Sequence, residues 1–291
     1  MSNTKILNHY FPGAGSVKIG AKPVILFADV DGTLVDDTMR VSSKDAAAIK
    51  KLMDEGHFFT LATGRGRTNA EFHMNSQATN FPAIFSNGAL FYDRSREEAI
   101  KQFEMSSDDL GELFAILTDF YPEIMIQIYT QDAIYLITDN PPDDPRVENH
   151  QPYQRIAFNQ LKGVPCNKVL FGMQDENCDE GRDLALNYVN SHGINLRVVK
   201  SQSKYLELTP CEVSKGNMLE FVKAEADAII AVAGDYYNDI EMMQAADIAY
   251  TLSSAPNEVK DVADVIIDSV PGEFISLVIQ DLLDRSATNR G

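Results

Sequence analysis

One short segment limits the folds open to this chain more than any other. An apolar run, Val24–Ala28, leads directly into Asp29, Val30, Asp31 and Gly32. Continuous apolar runs of this length are typical of strands buried on both faces of a parallel sheet. In open α/β sheets, ligands bind just beyond the carboxyl ends of such strands. The segment therefore predicts an α/β fold with a dense anionic site at the end of its first strand.

Two carboxylates at this spacing need a counter-charge. A hard divalent cation such as Mg²⁺ supplies it through oxygen ligands and leaves positions for water and a substrate phosphate. An ordinary acidic turn is the alternative, because Asp-Gly is common in turns. A calcium loop is excluded, because placing Asp29, Asp31 and Gly32 at its third, fifth and sixth positions puts Phe27 first and Thr38 twelfth. Neither residue can act as a ligand there.

The bulk composition is that of a globular protein. The chain has 291 residues, of which 44% are hydrophobic and 23% charged, and it has no apolar run near the roughly 18 residues of a membrane helix. Residues 1–22 lack the apolar segment of a signal peptide and predict a surface arm. Cys166, Cys178 and Cys211 lack CxxC spacing, which argues against a disulfide framework or a zinc cluster and fits a reducing cytoplasm.

The charge of the chain narrows its partners. A formal net charge of -18 opposes binding to nucleic acid, since affinity for the phosphate backbone comes from clustered Lys and Arg. A phosphorylated substrate would have to be held by local positive groups, a metal or helix N-termini, against the mean field of the protein. The sequence therefore favours a small-molecule partner, with no membrane or nucleic acid.

Predicted strands and helices alternate at both ends of the chain. The strands are expected at residues 24–28, 58–62, 83–86, 228–233, 248–252 and 265–267. Helices with one apolar face separate them, beginning with one that Ser42 and Ser43 cap and that ends before Gly56. This order predicts a parallel sheet covered by helices.

The middle of the chain has a different character. Runs rich in β-formers at residues 124–129 and 133–138, separated by a short turn, predict an antiparallel hairpin. Residues 139–152 include four prolines and predict an irregular loop. We therefore expect a separate α+β domain inserted into the α/β core. The predicted boundaries are 1–22 for the arm, 23–88 and 209–291 for the two parts of the core, and 89–208 for the insertion.

Three further polar motifs follow core strands or open helices. They are Thr63-Gly64, Ser214-Lys215-Gly216 and the segment Gly234–Asp239. Each alone has an ordinary explanation as an N-cap, an exposed lysine or an acidic loop. Because the carboxyl ends of the strands converge in a doubly wound sheet, we expect all three motifs to join Asp29 and Asp31 in one pocket.

In this order, around a large insertion, the motifs resemble a known family. Asp-x-Asp-Gly-Thr-Leu, Thr-Gly-Arg, Ser-Lys-Gly and Gly-Asp-x-x-Asn-Asp are similar to those of the haloacid dehalogenase-like superfamily, specifically its Cof-type phosphatases with a large α/β cap. The resemblance extends from about Val24 to the end of the chain. It implies a doubly wound, Rossmann-like core, an inserted α+β cap that closes over the site, and hydrolysis of small phosphomonoesters such as sugar phosphates, nucleotides or phosphorylated cofactors.

The resemblance also implies catalytic roles. Asp29 is the expected nucleophile, forming an aspartyl-phosphate, and an ionised carboxylate needs positioning more than deprotonation. Asp31 is the expected general acid and then the base that activates water. Lys215 would offset charge on the phosphoryl group in the transition state. Thr63 and the amide of Gly64 would hold phosphate oxygens near a helix N-terminus.

A magnesium site is implied by the same resemblance. Its expected ligands are the carboxylates of Asp29 and Asp235 and the backbone carbonyl of Asp31. Asp239 would lie beside the ligands and orient water or the lysine. Asn238 would contact the substrate phosphate or support its loop. The metal would screen the anionic nucleophile from its anionic target.

Two features depart from the family pattern. The first variable position of the last motif is usually small, whereas this chain has Tyr236 followed by Tyr237. These phenols could narrow the pocket, contact a substrate or pack under the cap. The arm of residues 1–22 is also longer than is usual for the family. Candidate residues for contact with the leaving group lie in the insertion, namely Tyr129, Tyr135, Lys204 and Tyr205.

Two rival functions stay open. A phosphomannomutase-like phosphotransferase uses a similar pair of aspartates and a similar cap, but it returns phosphate to a sugar. A non-catalytic phosphate-ligand sensor is the second rival. The presence of Asp29, Asp31, Lys215 and Asp235 counts against the sensor, since binding alone does not require both a nucleophile and an acid.

Overall fold

The computed structural model of the protein describes residues 7, 10, 22–35, 39–73, 79–137, 153–161 and 163–288. Within them the β-strands are, in chain order, β1 Val24–Ala28, β2 Phe58–Leu61, β3 Ala83–Phe85, β4 Leu90–Asp93, β5 Glu98–Gln102, β6 Met105–Ser106, β7 Met125–Tyr129, β8 Ile134–Ile137, β9 Tyr153–Ile156, β10 Pro165–Cys166, β11 Lys168–Gly172, β12 Leu196–Gln202, β13 Tyr205–Pro210, β14 Ile229–Ala233, β15 Ile248–Leu252 and β16 Val265–Ile267. The α-helices are α1 Ser43–Asp54, α2 Arg67–His73, α3 Gly111–Phe120, α4 Cys178–Ser191, α5 Lys215–Glu225, α6 Ile240–Ala245, α7 Asn257–Lys260 and α8 Phe274–Thr288. None of these described helices has the length and apolar content that a membrane crossing requires.

Five parallel strands form the central sheet, in the order β16-β15-β14-β1-β2. All of β1 is buried, as its unbroken apolar sequence requires in a sheet covered on both faces. The chain leaves β1 toward β2 on one side and later returns through β14 on the other, so the topological switch point lies beside β1. Ala28 pairs with Ala233 of β14 and with Leu61 of β2. The residues that follow these strands therefore leave the sheet at one edge. The predicted α/β class with a Rossmann-like core is confirmed.

Helix α1 starts as its sequence predicts. Ser42 caps it by accepting a hydrogen bond of 3.0 Å from the backbone nitrogen of Asp45. Ile49 and Leu52 are buried on its inner face. Asp45 is also fully buried, and it accepts a hydrogen bond of 2.8 Å from the backbone nitrogen of Ser276 in α8. The two helices are thereby joined through a buried carboxylate.

The third predicted strand differs in its pairing. β3 contacts the central sheet through a parallel bridge between Ala62 and Ile84, but its strand partner is β4, which runs antiparallel to it. The reversal follows from three consecutive residues with positive φ: Ser86 at 51°, Asn87 at 55° and Gly88 at 103°. Left-handed backbone turns the chain back on itself instead of leading it into a helix.

The chain divides into two compact units. One comprises Met1–Gly64, His73–Ile100 and Ser214–Gly291, and the other Arg65–Phe72 and Lys101–Val213. The predicted insertion, residues 89–208, differs from the second unit at both ends. β4 belongs to the first unit because it pairs with β3, and β13 extends to Pro210 before the chain leaves the second unit. Residues 65–72, which the prediction placed in the first part of the core, belong to the second unit.

The second unit is built on a six-stranded sheet in the order β12-β13-β11-β7-β8-β9. β7 and β8 pair antiparallel, which confirms the predicted hairpin, while β8 and β9 run parallel. Side chains alternate between its faces. Ile126 and Ile128 join a core that includes Leu113 of α3 and Ala185 of α4. This is the expected α+β architecture.

Parts of the prediction concern residues outside those described. The loop at 139–152 is one, and most of the arm at 1–22 is another. Leu7 is fully buried. The hydroxyl of Tyr10 donates a hydrogen bond to Asp93, and its ring centroid lies 5.0 Å from that of Phe81. At these two positions the chain packs into the first unit and is not a surface arm.

Candidate active site

Asp29 and Asp31 lie in different environments although one residue separates them. The backbone nitrogen of Asp29 donates to the carbonyl of Ala233 at 2.8 Å, and the residue is 6% exposed. Asp31 is exposed, in a turn that closes when the nitrogen of Val35 donates to the carbonyl of Val30 at 3.0 Å. One carboxylate is therefore fixed at the sheet edge and the other is accessible to solvent.

Lys215 stands between two carboxylates. Its Nζ lies 2.6 Å from Oδ1 of Asp29 and 2.6 Å from Oδ1 of Asp239, and the residue is 1% exposed. It is the first residue of α5, which Ser214 caps by accepting from the nitrogen of Asn217 at 3.0 Å. An isolated buried ammonium would be very costly, so the two anionic partners are what make this position tolerable.

Asp235 follows β14 and packs against the turn after β1. Oγ1 of Thr33 donates to its Oδ1 at 2.5 Å. Gly32 has φ of +81°, and a Cβ atom there would lie 2.5 Å from Oδ2 of Asp235. Glycine is therefore required at this position for two reasons: the backbone is left-handed, and the Asp235 carboxylate lies too close for a Cβ atom.

Asp239 stabilises the loop that carries Asp235 through side-chain hydrogen bonds. It is fully buried, and its Oδ2 accepts hydrogen bonds of 3.1 Å from the backbone nitrogens of Asp235 and Tyr236. A Cβ atom at Gly234 would lie 2.5 Å from Cγ of Asp239, so the loop closes only around a glycine. With Oδ1 bound to Lys215, both oxygens of Asp239 already have partners.

The three buried or half-buried carboxylates form a candidate metal site. Asp29, Asp235 and Asp239 each offer an oxygen, and these atoms lie within 4.8 Å of one another. Clustered carboxylate oxygens suit a hard cation such as Mg²⁺. Because both oxygens of Asp239 are occupied by protein donors, Asp29 and Asp235 are the better ligands of the three.

The electrostatics of the site favour added positive charge. Burial raises the pKa of Asp29 to about 8, against the effect of Lys215 and with the help of Asp239. Burial likewise raises the pKa of Asp235 to about 6, although the Thr33 hydrogen bond opposes the shift. Burial disfavours the charged form of Lys215, but the Asp239 and Asp29 carboxylates outweigh it and raise the lysine pKa. One ammonium does not satisfy this set of carboxylates, and a divalent cation would.

A second group of residues lies around Asn87. Its backbone nitrogen donates to the carbonyl of Thr63 at 3.0 Å. Its Oδ1 accepts a hydrogen bond of 3.2 Å from Nδ2 of Asn238 and would lie 2.8 Å from a Cβ atom at Gly64. Asn87 therefore brings together the three residues expected to hold phosphate.

Gly88 joins this group to the lysine. Its φ is +103°, and a Cβ atom there would lie 2.1 Å from the carbonyl oxygen of Ser214 and 3.0 Å from the nitrogen of Lys215. The turn after β3 thus packs directly on the first residues of α5. All of the predicted site residues belong to the first unit.

Tyr236 and Tyr237 directly follow Asp235 in its loop. They are 51% and 49% exposed. Their ring centroids are 4.9 Å apart and the rings meet edge to face at 74°. Neither is a packing residue of the core.

Two residues of this site, Thr33 and Asn87, were not predicted from the sequence. Thr33 lies inside the first motif, and its hydroxyl donates a hydrogen bond to Asp235. Asn87 had a local signal, the dipeptide Asn-Gly, but that signal predicted only a turn. Its contacts with Thr63, Gly64 and Asn238 depend on tertiary structure.

The four candidates for contact with the leaving group belong to the second unit. Tyr129 and Tyr205 are buried in one cluster on the sheet, where Nζ of Lys168 lies 4.5 Å from the centroid of the Tyr129 ring. Tyr135 packs against the core beneath the helices, and Lys204 lies near the Tyr205 ring at 5.9 Å. The structure thus separates these residues between the two faces of the sheet.

Comparison with known proteins identifies the family. The model of the haloacid dehalogenase-like hydrolases matches residues 26–276. The chain therefore belongs to this family of hydrolytic enzymes, and the predicted Cof-type resemblance is confirmed.

Relatives cover the chain to different extents. It is 28% identical over 260 residues to Endoribonuclease YBEY, chloroplastic, of Arabidopsis thaliana, covering 83% of this chain but 43% of that protein. It is 21% identical over 259 residues to 5-amino-6-(5-phospho-D-ribitylamino)uracil phosphatase YitU of Bacillus subtilis, covering 84% and 91%. The crystal structure of TM0651 from Thermotoga maritima has the same fold, with a TM-score of 0.74, 24% identity, and coverage of 89% and 97%. Relatives matched over nearly their whole length place the chain among the phosphatases of the family.

Proposed function

We propose that the protein is a Mg²⁺-dependent phosphatase that hydrolyses small phosphomonoesters through an aspartyl-phosphate. The observation that carries this proposal is the buried Lys215, which lies 2.6 Å from both Asp29 and Asp239 beside the accessible Asp31. The arrangement supplies a fixed nucleophile, an accessible proton donor and a positive charge at one sheet edge.

Asp29 would attack the phosphorus atom. A new bond forms between a carboxylate oxygen and phosphorus, and the bond from phosphorus to the ester oxygen breaks. The backbone hydrogen bond to Ala233 and the contact with Lys215 fix the carboxylate for this attack. Lys215, bound to the same carboxylate, would also offset the charge that develops on the equatorial oxygens, so its effect would be greatest in the transition state.

Asp31 would move the proton in both half-reactions. As the ester oxygen leaves, protonated Asp31 donates a proton to it, and the alcohol departs. Ionised Asp31 then takes a proton from water, whose oxygen attacks the phosphorus and releases Asp29 and inorganic phosphate. An exposed carboxylate is suited to this exchange because it can reach both the leaving oxygen and solvent.

Thr63, Gly64 and Asn238 would bind the phosphate oxygens, supported by Asn87. Asp29 and Asp235, with the carbonyl of Asp31, would hold Mg²⁺. When bound, the cation neutralises charge between the nucleophile and the phosphate. The raised pKa values of Asp29 and Asp235 support this assignment, since both carboxylates need additional positive charge to be ionised together.

A small phosphorylated metabolite is the proposed substrate. The name of the Bacillus subtilis relative specifies a phosphorylated ribitylaminouracil, and that of an Archaeoglobus fulgidus relative, 24% identical over 264 residues, specifies phosphoglycolate. Both are small phosphomonoesters. We favour hydrolysis over the phosphomannomutase-like reaction or a sensor because relatives matched over nearly their whole length are named phosphatases.

The decisive experiment measures phosphate release from a panel of sugar phosphates, nucleotides and phosphorylated cofactors, with Mg²⁺ and with chelator. Asp29→Asn should abolish turnover and leave thermal unfolding little changed, because the amide still accepts from Lys215 but is not a nucleophile. Interconversion of hexose 1- and 6-phosphates faster than phosphate release, dependent on a sugar bisphosphate, would instead establish a mutase. Retained turnover in Asp29→Asn would remove Asp29 from the mechanism.

A further inference from the structure

The loop that carries Asp235 has an unusual surface. Among the large apolar side chains that are exposed in the described part of the chain, two adjacent ones, Tyr236 and Tyr237, lie in this loop. Exposed aromatic rings forgo the burial that normally stabilises them. The two tyrosines directly follow a candidate metal ligand and directly precede Asn238. The proposed reaction at phosphorus does not explain why exposed aromatic side chains lie at this position.

The rings are held in this position by the backbone beneath them. The nitrogen of Tyr236 donates to Asp239 at 3.1 Å, and its carbonyl accepts from the nitrogen of Asp239 at 3.0 Å. Because Asp239 is fully buried and also bound to Lys215, the loop cannot shift without disturbing the site. The rings are thus displayed on a rigid support.

The edge-to-face geometry leaves ring faces available. In such a pair the edge of one ring meets a single face of the other, so the remaining faces can receive a ligand. The centroid distance of 4.9 Å and the angle of 74° are typical of this arrangement. Each tyrosine also keeps about half of its surface exposed.

The position of Asp31 indicates which part of a substrate would meet these rings. Gly32 packs against Asp235, so the turn that carries Asp31 adjoins the base of the tyrosine loop. Asp31 protonates the leaving oxygen in the proposed reaction. The group attached to that oxygen would therefore start beside the turn that packs on Asp235, the residue directly before Tyr236 and Tyr237.

The net charge of the protein favours a leaving group that carries an uncharged ring over one that carries a second anionic group. The chain carries a formal charge of -18, which disfavours leaving groups with further negative charge. Stacking on an aromatic ring does not require charge and accepts any planar π-surface.

We propose that Tyr236 and Tyr237 form a binding subsite for a planar ring in the leaving group, so that the preferred substrates are phosphomonoesters of ring-bearing alcohols such as nucleosides or flavin-type polyols. The inference rests on the proposed phosphatase function. It makes Tyr236 and Tyr237 specificity-determining residues, with no part in the chemistry at phosphorus.

Two pairs of substrates measure the contribution of the ring, because the members of each pair differ in whether the leaving group carries it. Adenosine 5′-monophosphate and ribose 5-phosphate share a phosphorylated pentose and differ in the base. Riboflavin 5′-phosphate and ribitol 5-phosphate differ in the flavin ring. The measured quantity is the ratio of kcat/KM within each pair, determined for wild type, Tyr236→Ala, Tyr237→Ala and the corresponding phenylalanine variants.

We expect wild type to prefer the ring-bearing member of at least one pair. Each alanine variant should lower that ratio by about tenfold, the size of a lost stacking contact, while Tyr236→Phe and Tyr237→Phe retain it. Phe120→Ala is the matched control, since Phe120 is also an exposed aromatic residue, at 62%, but lies in the second unit. It should leave the ratio unchanged.

Two results would overturn the inference: no preference for the ring in either pair, or a ratio unaffected by both alanine variants. If the ratio is unaffected because kcat/KM falls equally for both members of a pair, the tyrosines only maintain the loop. Absence of phosphate release from every substrate would instead contradict the proposed function itself, so the two failures are distinguishable.

Discussion

Nδ2 of Asn238 donates a hydrogen bond of 3.2 Å to Oδ1 of Asn87, which lies 151 residues earlier in the chain. This contact joins the loop of the last motif to the turn that follows β3. Asn87 holds that turn in left-handed backbone, with φ of 55°. Asn87 thus has two roles: its backbone adopts the left-handed conformation of the turn, and its side chain accepts the hydrogen bond from Asn238.

Two substitutions separate these roles. Asn87→Gly keeps the left-handed turn but removes the acceptor for Asn238, so we expect KM to rise several-fold with little change in thermal unfolding. Asn87→Ala removes the acceptor and adds backbone strain of about 1 kcal/mol, so it should also lower Tm. Steady-state kinetics and thermal unfolding of both variants provide the test. Equal KM values for wild type and Asn87→Gly would contradict the side-chain role.

Gly32 offers a second test with an internal control. Gly32 and Gly56 both have positive φ, at +81° and +87°, but a Cβ atom at Gly56 would meet nothing within 4 Å. Each Gly→Ala change should therefore cost about 1–2 kcal/mol of backbone strain. Only Gly32→Ala also displaces Asp235, so only this variant should need more Mg²⁺ for half-maximal activity. The same magnesium requirement in both variants would exclude Asp235 as a metal ligand.

The sequence predicted those parts of the site that local patterns define. The apolar run before Asp29 and the cap at Ser214 can be read from neighbouring residues, because strand burial and helix capping act over a few positions. The left-handed conformation of Ser86 could not, since a serine gives no reliable local signal for it. Nor could the approach of Gly88 to Ser214, which brings together residues far apart in sequence.

Lys215 should matter for stability as well as for turnover. Lys215→Ala leaves Asp29 and Asp239 buried without their shared cation, and removing one member of a buried ion pair costs about 3–5 kcal/mol. We also expect kcat to fall by about two orders of magnitude or more. Chemical unfolding without Mg²⁺ and steady-state kinetics measure the two effects.

Lys50→Ala is the matched control for this variant. The Lys50 ammonium lies 2.6 Å from Asp54, as close as Lys215 lies to its partners, but both side chains are exposed. Exposed i,i+4 pairs contribute about 0.3–0.5 kcal/mol. A stability loss of that size in Lys215→Ala, or an effect on KM alone, would contradict its placement between buried charges and its role in the transition state.

Asp45 should give the fold a measurable pH dependence away from the site. Burial raises its pKa above the ordinary value of 3.8, although the backbone hydrogen bond from Ser276 and the nearby Lys44 oppose the shift. Its Oδ2 has no hydrogen-bond partner among the described residues. The native state therefore holds the Asp45 proton more tightly than the unfolded state does, and the contribution of this group to stability falls as the pH rises.

Asp45→Asn tests this linkage, because the amide keeps Oδ1 as the acceptor for Ser276 and does not ionise. The contribution of protonated Asp45 is fully present below about pH 3.8 and is lost as the pH rises toward the pKa of the folded state. The Tm of Asp45→Asn minus that of wild type should therefore increase from pH 4 upward and then level off. Thermal unfolding of both proteins between pH 4 and pH 8 measures it. A difference that stays constant, or one that decreases with pH, would mean that Asp45 is ionised in the native state across this range.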